Sequence, residues 1–220
     1  MSKHNYRGVI FDWDGTLMNS EARIVAAIQY AAAQNNLPVL SDHESKQIIG
    51  LSLQNAVAQL YPTIAEDLTT IQAVSEAYTE HFLHESQVPM TPFPFADELL
   101  EALLDEGYKL AVATGKSRRG LDEVLKLTGF GRFFDITRTP IESASKPNPL
   151  MLQQIMTHWN WSAEQVVMVG DTTFDMEMAA NIGMDRIALH HGVHHPAQLA
   201  AFNPVAALED LGSLRHYLLS

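Results

Sequence analysis

Gly8-Val9-Ile10-Phe11-Asp12-Trp13-Asp14-Gly15-Thr16-Leu17 is the stretch on which the architecture turns. Val9-Ile10-Phe11 is short, β-branched and aromatic, which reads as a buried strand. Asp12 follows at once, and Asp12–Thr16 reads as a polar loop with Gly15 as its turn residue. The same form returns further along. Lys109-Leu110-Ala111-Val112-Ala113 runs into Thr114-Gly115, and Gln165-Val166-Val167-Met168-Val169 runs into Gly170-Asp171. Phe133–Ile136 and Arg186–Leu189 supply two further predicted strands. Between them lie helical patterns at Phe95–Glu106, at Arg118–Leu127 before Gly129, at Pro147–Thr157, and at Phe174–Asn181 before Gly183. Strand and helix in alternation predict an α/β fold: a doubly wound, mainly parallel sheet with a Rossmann-like core.

One block breaks the alternation. From Met18 to about Gln87 no convincing strand appears. Glu21–Gln34 carries Ile24, Ala27, Ile28 and Ala31 at helical spacing, Ser41 and Glu44 are spaced as a capping box, and Leu53–Leu60 and Ile64–Leu83 are helical as well. Pro89, Pro92 and Pro94 then end the helical run. The expected organisation is an α/β core of residues 1–17 and 89–220, with residues 18–88 as an all-helical cap inserted after the first strand.

The chain has 220 residues, 46% of them hydrophobic, enough for a substantial core. Its formal charge of -12 argues against a nonspecific nucleic-acid or anionic-membrane binder. Eight acids against two bases place half of that excess in residues 18–88. The absence of Cys removes disulfides, thiolate metal sites and a cysteine nucleophile. No apolar run reaches the roughly 18–20 residues of a membrane span. Met1–Gly8 is polar, without the apolar stretch of a signal peptide, so a cytoplasmic location is expected.

Ligands of open parallel sheets bind beyond the carboxyl ends of the strands. Asp12 and Asp14 follow the first strand, Thr114 and Gly115 the second, and Asp171 and Asp175 the fourth. Lys146 precedes the helix that leads into the fourth. Four carboxylates on one rim repel one another unless some hold a cation, and oxygen donors suit Mg²⁺. A Mg²⁺ and a lysine together suit a phosphate. Asp171 and Asp175 also fit the start of a helix as capping residues, which is compatible with metal binding.

These segments resemble the four motifs of the haloacid dehalogenase superfamily of phosphohydrolases: Val9–Leu17 the first, Val112-Ala113-Thr114-Gly115-Lys116 the second, Lys146-Pro147-Asn148-Pro149 the third, and Gly170-Asp171-Thr172-Thr173-Phe174-Asp175 the fourth. The helical insertion is similar to the cap of the phosphoglycolate phosphatase-like branch. The resemblance implies a Mg²⁺-dependent phosphatase acting on a small phosphorylated metabolite through an aspartyl-phosphate. Asp12 would be the nucleophile and Asp14 the general acid and base. A free Asp has a pKa of about 3.9, so the acid role needs a proton held on Asp14, which neighbouring negative charge would favour. Asp12, the Asp14 carbonyl and Asp171 would hold the metal. Thr114, the Gly115 amide and Lys146 would bind the phosphoryl oxygens, with Asp175 and Thr16 behind them. Arg23, Lys46 and Lys116 could reach the leaving group.

Three positions depart from the family pattern. Trp13 replaces a smaller apolar residue and is expected to crowd the cap entrance. Asn19 replaces an Asp at the hinge, and Phe95 stands where a Gly usually follows a Pro. His190-His191-Gly192-Val193-His194-His195 resembles a metal-binding tract but reads better as exposed loop histidines. A sugar phosphomutase shares both aspartates and the cap. A receiver-type signalling protein shares the strand-end aspartates but lacks the helical insertion. Both monomer and homodimer fit the sequence.

Overall fold

β1 (Gly8–Phe11) is wholly buried and lies at the centre of a six-stranded sheet. The computed structural model describes residues 5–220, so Met1–His4 of the polar leading segment lie outside the described residues. β1 pairs in parallel with β4 (Lys109–Ala113) on one side and β6 (Val166–Gly170) on the other. Beyond β4 lies β5 (Ile136–Arg138), and beyond β6 lie β7 (Asp185–Leu189) and β8 (Ala206–Leu208), every pairing parallel. The order β5-β4-β1-β6-β7-β8 reverses direction at β1, which makes the ends of β1, β4 and β6 the binding crevice.

The two faces of the sheet follow from the period of two along each strand. Val9 and Phe11 pack with Leu110, Val112, Val167 and Val169 into one core. It is covered by α5 (Ala96–Asp105), α6 (Arg118–Thr128) and α10 (Leu211–Leu219). Ile10, Ala111 and Met168 face the other way, under α7 (Leu150–Trp159) and α8 (Thr173–Ala180). α9 (Pro196–Ala200) lies against α8 and β7.

Between β1 and α5 stand α1 (Glu21–Gln34), α2 (Asp42–Lys46), α3 (Leu53–Leu60) and α4 (Leu68–Glu80), the last continuing into a π-turn at His81–Glu85. The Ser41–Glu44 capping box is present. Ile28, Ala31, Val57, Tyr61, Ile71 and Val74 form the core of this helical cap. The expected absence of strands here needs one correction. β2 (Met18–Asn19) pairs antiparallel with β3 (Thr91–Pro92), a two-stranded hinge where the chain leaves and re-enters the core. Asn19 is exposed in that hinge. Phe95, the substitute for a usual Gly, adopts φ 68°, a left-handed conformation that Gly reaches without steric cost.

Candidate active site

The loop after β1 begins by prolonging the sheet. The Asp12 amide donates to Val169 O at 3.0 Å, so the carboxylate leaves the strand end in a set direction. Asp12 Oδ1 accepts from the Trp13 amide at 2.6 Å and lies 2.8 Å from Lys146 Nζ. Asp12 Oδ2 is buried and has no hydrogen-bond partner. Lys146, with its side chain fully buried, donates also to Asp175 Oδ1 at 2.7 Å. Asp175 Oδ2 accepts from the Thr172 amide and hydroxyl at 3.1 and 2.7 Å, the capping box that starts α8. Both oxygens of Asp175 are therefore engaged.

Asp171 is fully buried at the end of β6. Its Oδ1 accepts from Thr16 Oγ at 2.6 Å and its Oδ2 from the Val193 amide at 2.9 Å. Gly15, at φ 82°, passes directly over this carboxylate, where a Cβ would collide with it. Thr114 is buried at the end of β4, and its hydroxyl accepts from the Lys116 amide at 3.2 Å. Thus Asp12, Thr114, Lys146, Asp171 and Asp175, drawn from four separate segments, meet on one rim. Thr16 joins them from the first loop.

Asp12, Asp171 and Asp175 bring carboxylate oxygens within 4.8 Å of one another, all buried. Burial pushes the Asp12 carboxyl well above the usual carboxylate range; Lys146 opposes this, and the charges of Asp175 and Asp171 add to it. Burial, then the Asp175 charge, pushes Asp171 up to about 7 against the Thr16 and Val193 hydrogen bonds. Burial works against the Lys146 ammonium, but Asp12 and Asp175 outweigh it and hold its pKa above the ordinary value. Three buried carboxylates face one buried ammonium, and one carboxylate oxygen is left without a donor. That all-oxygen set fits a hard divalent cation.

Asp14 is met differently from expectation. The sequence suggested negative neighbours, whereas the structure gives it Lys116 Nζ at 2.9 Å from Oδ2 and the Ser20 hydroxyl at 2.7 Å from Oδ1. Ser20 was missed in the sequence, because nothing local marks a serine six residues on as a partner. Lys116 also sits 4.3 Å from the centre of the Phe82 ring. The other two candidate contacts point elsewhere. Arg23 donates to the carbonyls of Phe82 and Ser86 at 2.8 and 3.1 Å, and Lys46 pairs with Glu21 at 3.2 Å. Neither lines the chamber.

That chamber, about 60 Å³, lies between rim and cap. Asp12, Asp14, Thr114 and Lys116 form its floor, and Ile24, Ile48, Leu51, Leu53, Tyr78 and Phe82 are on the cap side. Ile24 thus serves the chamber, whereas Ile28 and Ala31 of the same helical stripe fill the cap. The cap loop bears hard on the Thr114-Gly115 end of the rim: a Cβ at Gly115 would collide with the carbonyl oxygens of Gly50 and Leu51. The Ser52 amide donates to Ser145 Oγ at 3.0 Å across the same seam.

Two expectations are corrected. Trp13 is not at the cap entrance. It is fully buried, edge-on to Phe130 and Phe134 at 6.2 and 6.3 Å, because its side chain alternates to the sheet face that α6 covers. The histidines of 190–195 are not simply exposed. His191 Nε2–H donates to Thr16 O at 3.0 Å and its ring stacks on Phe93 at 4.0 Å. His194 is buried, its Nδ1 accepting from the Thr173 amide at 3.0 Å. His195 Nδ1 accepts from the Ala197 amide at the start of α9, and His190 lies 3.2 Å from Glu209. The segment braces the loop beside Asp171, and no His joins the acidic cluster among the described residues.

The profile of the haloacid dehalogenase-like hydrolases matches residues 9–189. A probable phosphatase, IndB, of Dickeya dadantii is 34% identical over 94% of this chain and 90% of its own length. A phosphoglycolate phosphatase of Vibrio parahaemolyticus is 27% identical, with 97% and 96% covered. A pyrophosphatase, PpaX, of Listeria innocua is 28% identical, with 94% and 93% covered. A predicted phosphoglycolate phosphatase from Haemophilus somnus shares the fold at a TM-score of 0.86 and 22% identity, over 97% and 98% of the two chains. With the four motifs gathered on one rim beneath a helical cap, the chain belongs to the haloacid dehalogenase-like hydrolase family and is an enzyme of its phosphatase branch.

Proposed function

We propose that the chain is a Mg²⁺-dependent phosphatase that hydrolyses a small organic phosphomonoester through an aspartyl-phosphate on Asp12. The observation that carries this is the state of Asp12. One oxygen is held by Lys146 and the Trp13 amide, and the other is buried without a donor on a residue that lines the chamber. A fixed carboxylate with one free oxygen is arranged to attack phosphorus.

In this reading an Asp12 oxygen forms the bond to phosphorus as the ester bond breaks. Asp14, in the form that carries a proton beside Lys116, gives that proton to the departing alkoxide, then takes one from the water that hydrolyses the aspartyl-phosphate. Thr114, the Gly115 amide and Lys146 hold the phosphoryl oxygens, where charge resides in the transition state. Asp175 keeps Lys146 in place. Asp12, Asp171 and the Asp14 carbonyl would hold Mg²⁺. When bound, the ion supplies charge that screens the repulsion between a carboxylate nucleophile and a phosphate dianion. Residues 18–88 act as a cap over a core of residues 1–17 and 89–220, and their closure excludes water during the first half-reaction.

The test is phosphate release from p-nitrophenyl phosphate with Mg²⁺ and with EDTA, in the wild type and in Asp12→Asn. Turnover that needs both the metal and Asp12 supports the proposal. Turnover unchanged by EDTA, or retained by the variant, overturns it.

A further inference from the structure

The chamber's cap side is mostly apolar, with Tyr78 and Thr79 bringing its only hydroxyls among the described residues, and its cations are already committed. Ile48, Leu51, Leu53, Tyr78 and Phe82 supply side chains there, and no Lys, Arg or His of the cap lines it among the described residues. Arg23, on the cap helix nearest the rim, is turned to the carbonyls of Phe82 and Ser86. Lys46 is held by Glu21. Lys146 is buried between Asp12 and Asp175 at the phosphate end. That leaves Lys116, whose ammonium is paired with Asp14 at 2.9 Å and seated on the Phe82 ring.

A leaving group with a charge close to the ester oxygen would place that charge inside this space. A carboxylate two bonds from the ester oxygen would find isoleucine and leucine side chains, two neutral hydroxyls on Tyr78 and Thr79, and a Lys116 that it would have to take from Asp14. Burying a charge without a partner is strongly unfavourable. A branched alkyl group of the same shape meets the same side chains favourably. The chamber continues past Leu53, Thr79 and Ser117 into an open cleft that contains Arg118 and Arg119. Arg118 is bonded to Glu142 and Asp122, and Arg119 lies out by Glu80 and His84. Neither lines the chamber where a short tail ends.

We infer that the substrate class is a phosphomonoester whose leaving group is uncharged and apolar in the atoms next to the ester oxygen, in distinction to phosphoglycolate and to pyrophosphate. This rests on the phosphatase reading and narrows it. The relatives named for those two anionic substrates are 27% and 28% identical to this chain. The cap side of the chamber is where this chain's preference is set.

The experiment compares isobutyl phosphate with phosphoglycolate, which matches it in shape but ends in a carboxylate, and with pyrophosphate. Phosphate release is measured on the full chain with Mg²⁺. The expected kcat/KM for isobutyl phosphate exceeds both others by about tenfold or more, the scale on which a pocket discriminates by unpaired polarity. Binding of isobutylphosphonate and phosphonoacetate, which are not hydrolysed, is measured by calorimetry and should follow the same order. Leu53→Arg, which adds a cation to the cap side, should shift the ratio toward phosphoglycolate. If that variant does not fold, the wild-type ranking and the phosphonate pair still decide. Phosphoglycolate or pyrophosphate equal to or better than isobutyl phosphate overturns the inference and leaves the phosphatase reading intact. Failure to release phosphate from any ester, p-nitrophenyl phosphate included, overturns both.

Discussion

Replacing Asp171 by Asn should make the metal-free protein more stable at alkaline pH while removing its activity. Asp171 is fully buried, and burial together with the Asp175 charge pushes its carboxyl up to about 7. In the unfolded chain the same group titrates near the ordinary Asp value of 3.8. The stability linked to its protonated form is fully present below the unfolded pKa and is lost as pH rises through the folded one. Over the whole window the loss is on the order of 4 kcal/mol, of which about 3 kcal/mol falls between pH 5 and pH 8. Asn carries no charge, so that pH-dependent part vanishes in the variant. One of the two hydrogen bonds, from Thr16 or Val193, is also lost, at about 1 kcal/mol, but that cost does not vary with pH and cancels in the comparison. The assay is urea unfolding of both proteins in EDTA at pH 5 and pH 8. Relative to wild type, the variant should gain about 3 kcal/mol on going from the lower pH to the higher. Added Mg²⁺ should stabilise the wild type at pH 8 far more than the variant, since a ligand stabilises only the state that binds it. A variant whose stability difference from wild type is the same at both pH values would refute the account of a strained acidic cluster.

Three further outcomes test other parts of the structure. Gly115→Ala should fold normally but lose at least about tenfold in kcat, because a Cβ there collides with the Gly50 and Leu51 carbonyls and holds the cap loop off the rim; unchanged kcat would show that this closed seam plays no part in turnover. Asp14→Asn should slow alkyl phosphates by about 10²-fold or more and nitrophenyl phosphate much less, since a good leaving group needs no proton; equal losses would count against the acid role. Trp13→Ala should cost about 3–5 kcal/mol in urea unfolding, the range for emptying a large buried aromatic site, whereas a loss below 1 kcal/mol would contradict its packing against Phe130 and Phe134.

The elements legible in the sequence were those whose ends carry a chemical signal. β1, β4, α1 and α3 fall where the residues place them: β1 between a Gly and an Asp, β4 before Thr114-Gly115, α1 before Asn35-Asn36-Leu37-Pro38 and α3 along its helical apolar spacing. β5 was displaced. The aromatic run before it imitates a strand, but Phe130–Phe133 is a 3₁₀ turn, with Phe130 and Phe133 buried in the core alongside Trp13, and the strand starts only at Ile136. β2 and β8 have two and three residues and exist through pairing with a neighbour, which no local pattern announces. Asp12, Asp14, Thr114 and Asp171 were readable because each follows a strand that reads clearly, and Lys146 because it stands before the Pro that leads into a helix. Their partners were not. Ser20 on Asp14, His191 on Thr16 and the Gly115 seam with the cap loop join segments far apart in the chain or unmarked by local pattern. The histidine segment shows the limit of composition: four histidines in six residues resemble a metal tract, while the fold uses them as hydrogen-bonding braces.

Covalent catalysis by Asp12 is the centre of the account, and it can be observed at that residue. The full chain is mixed with excess isobutyl phosphate and Mg²⁺, quenched in denaturant during turnover, reduced with borohydride and sequenced by mass spectrometry. An aspartyl-phosphate is reduced to homoserine, so homoserine should appear at position 12, and only when substrate and metal are both present. Continued phosphate release with position 12 unmodified, or with the label at Asp14, Asp171 or Asp175 instead, would contradict the assignment of Asp12 as the nucleophile.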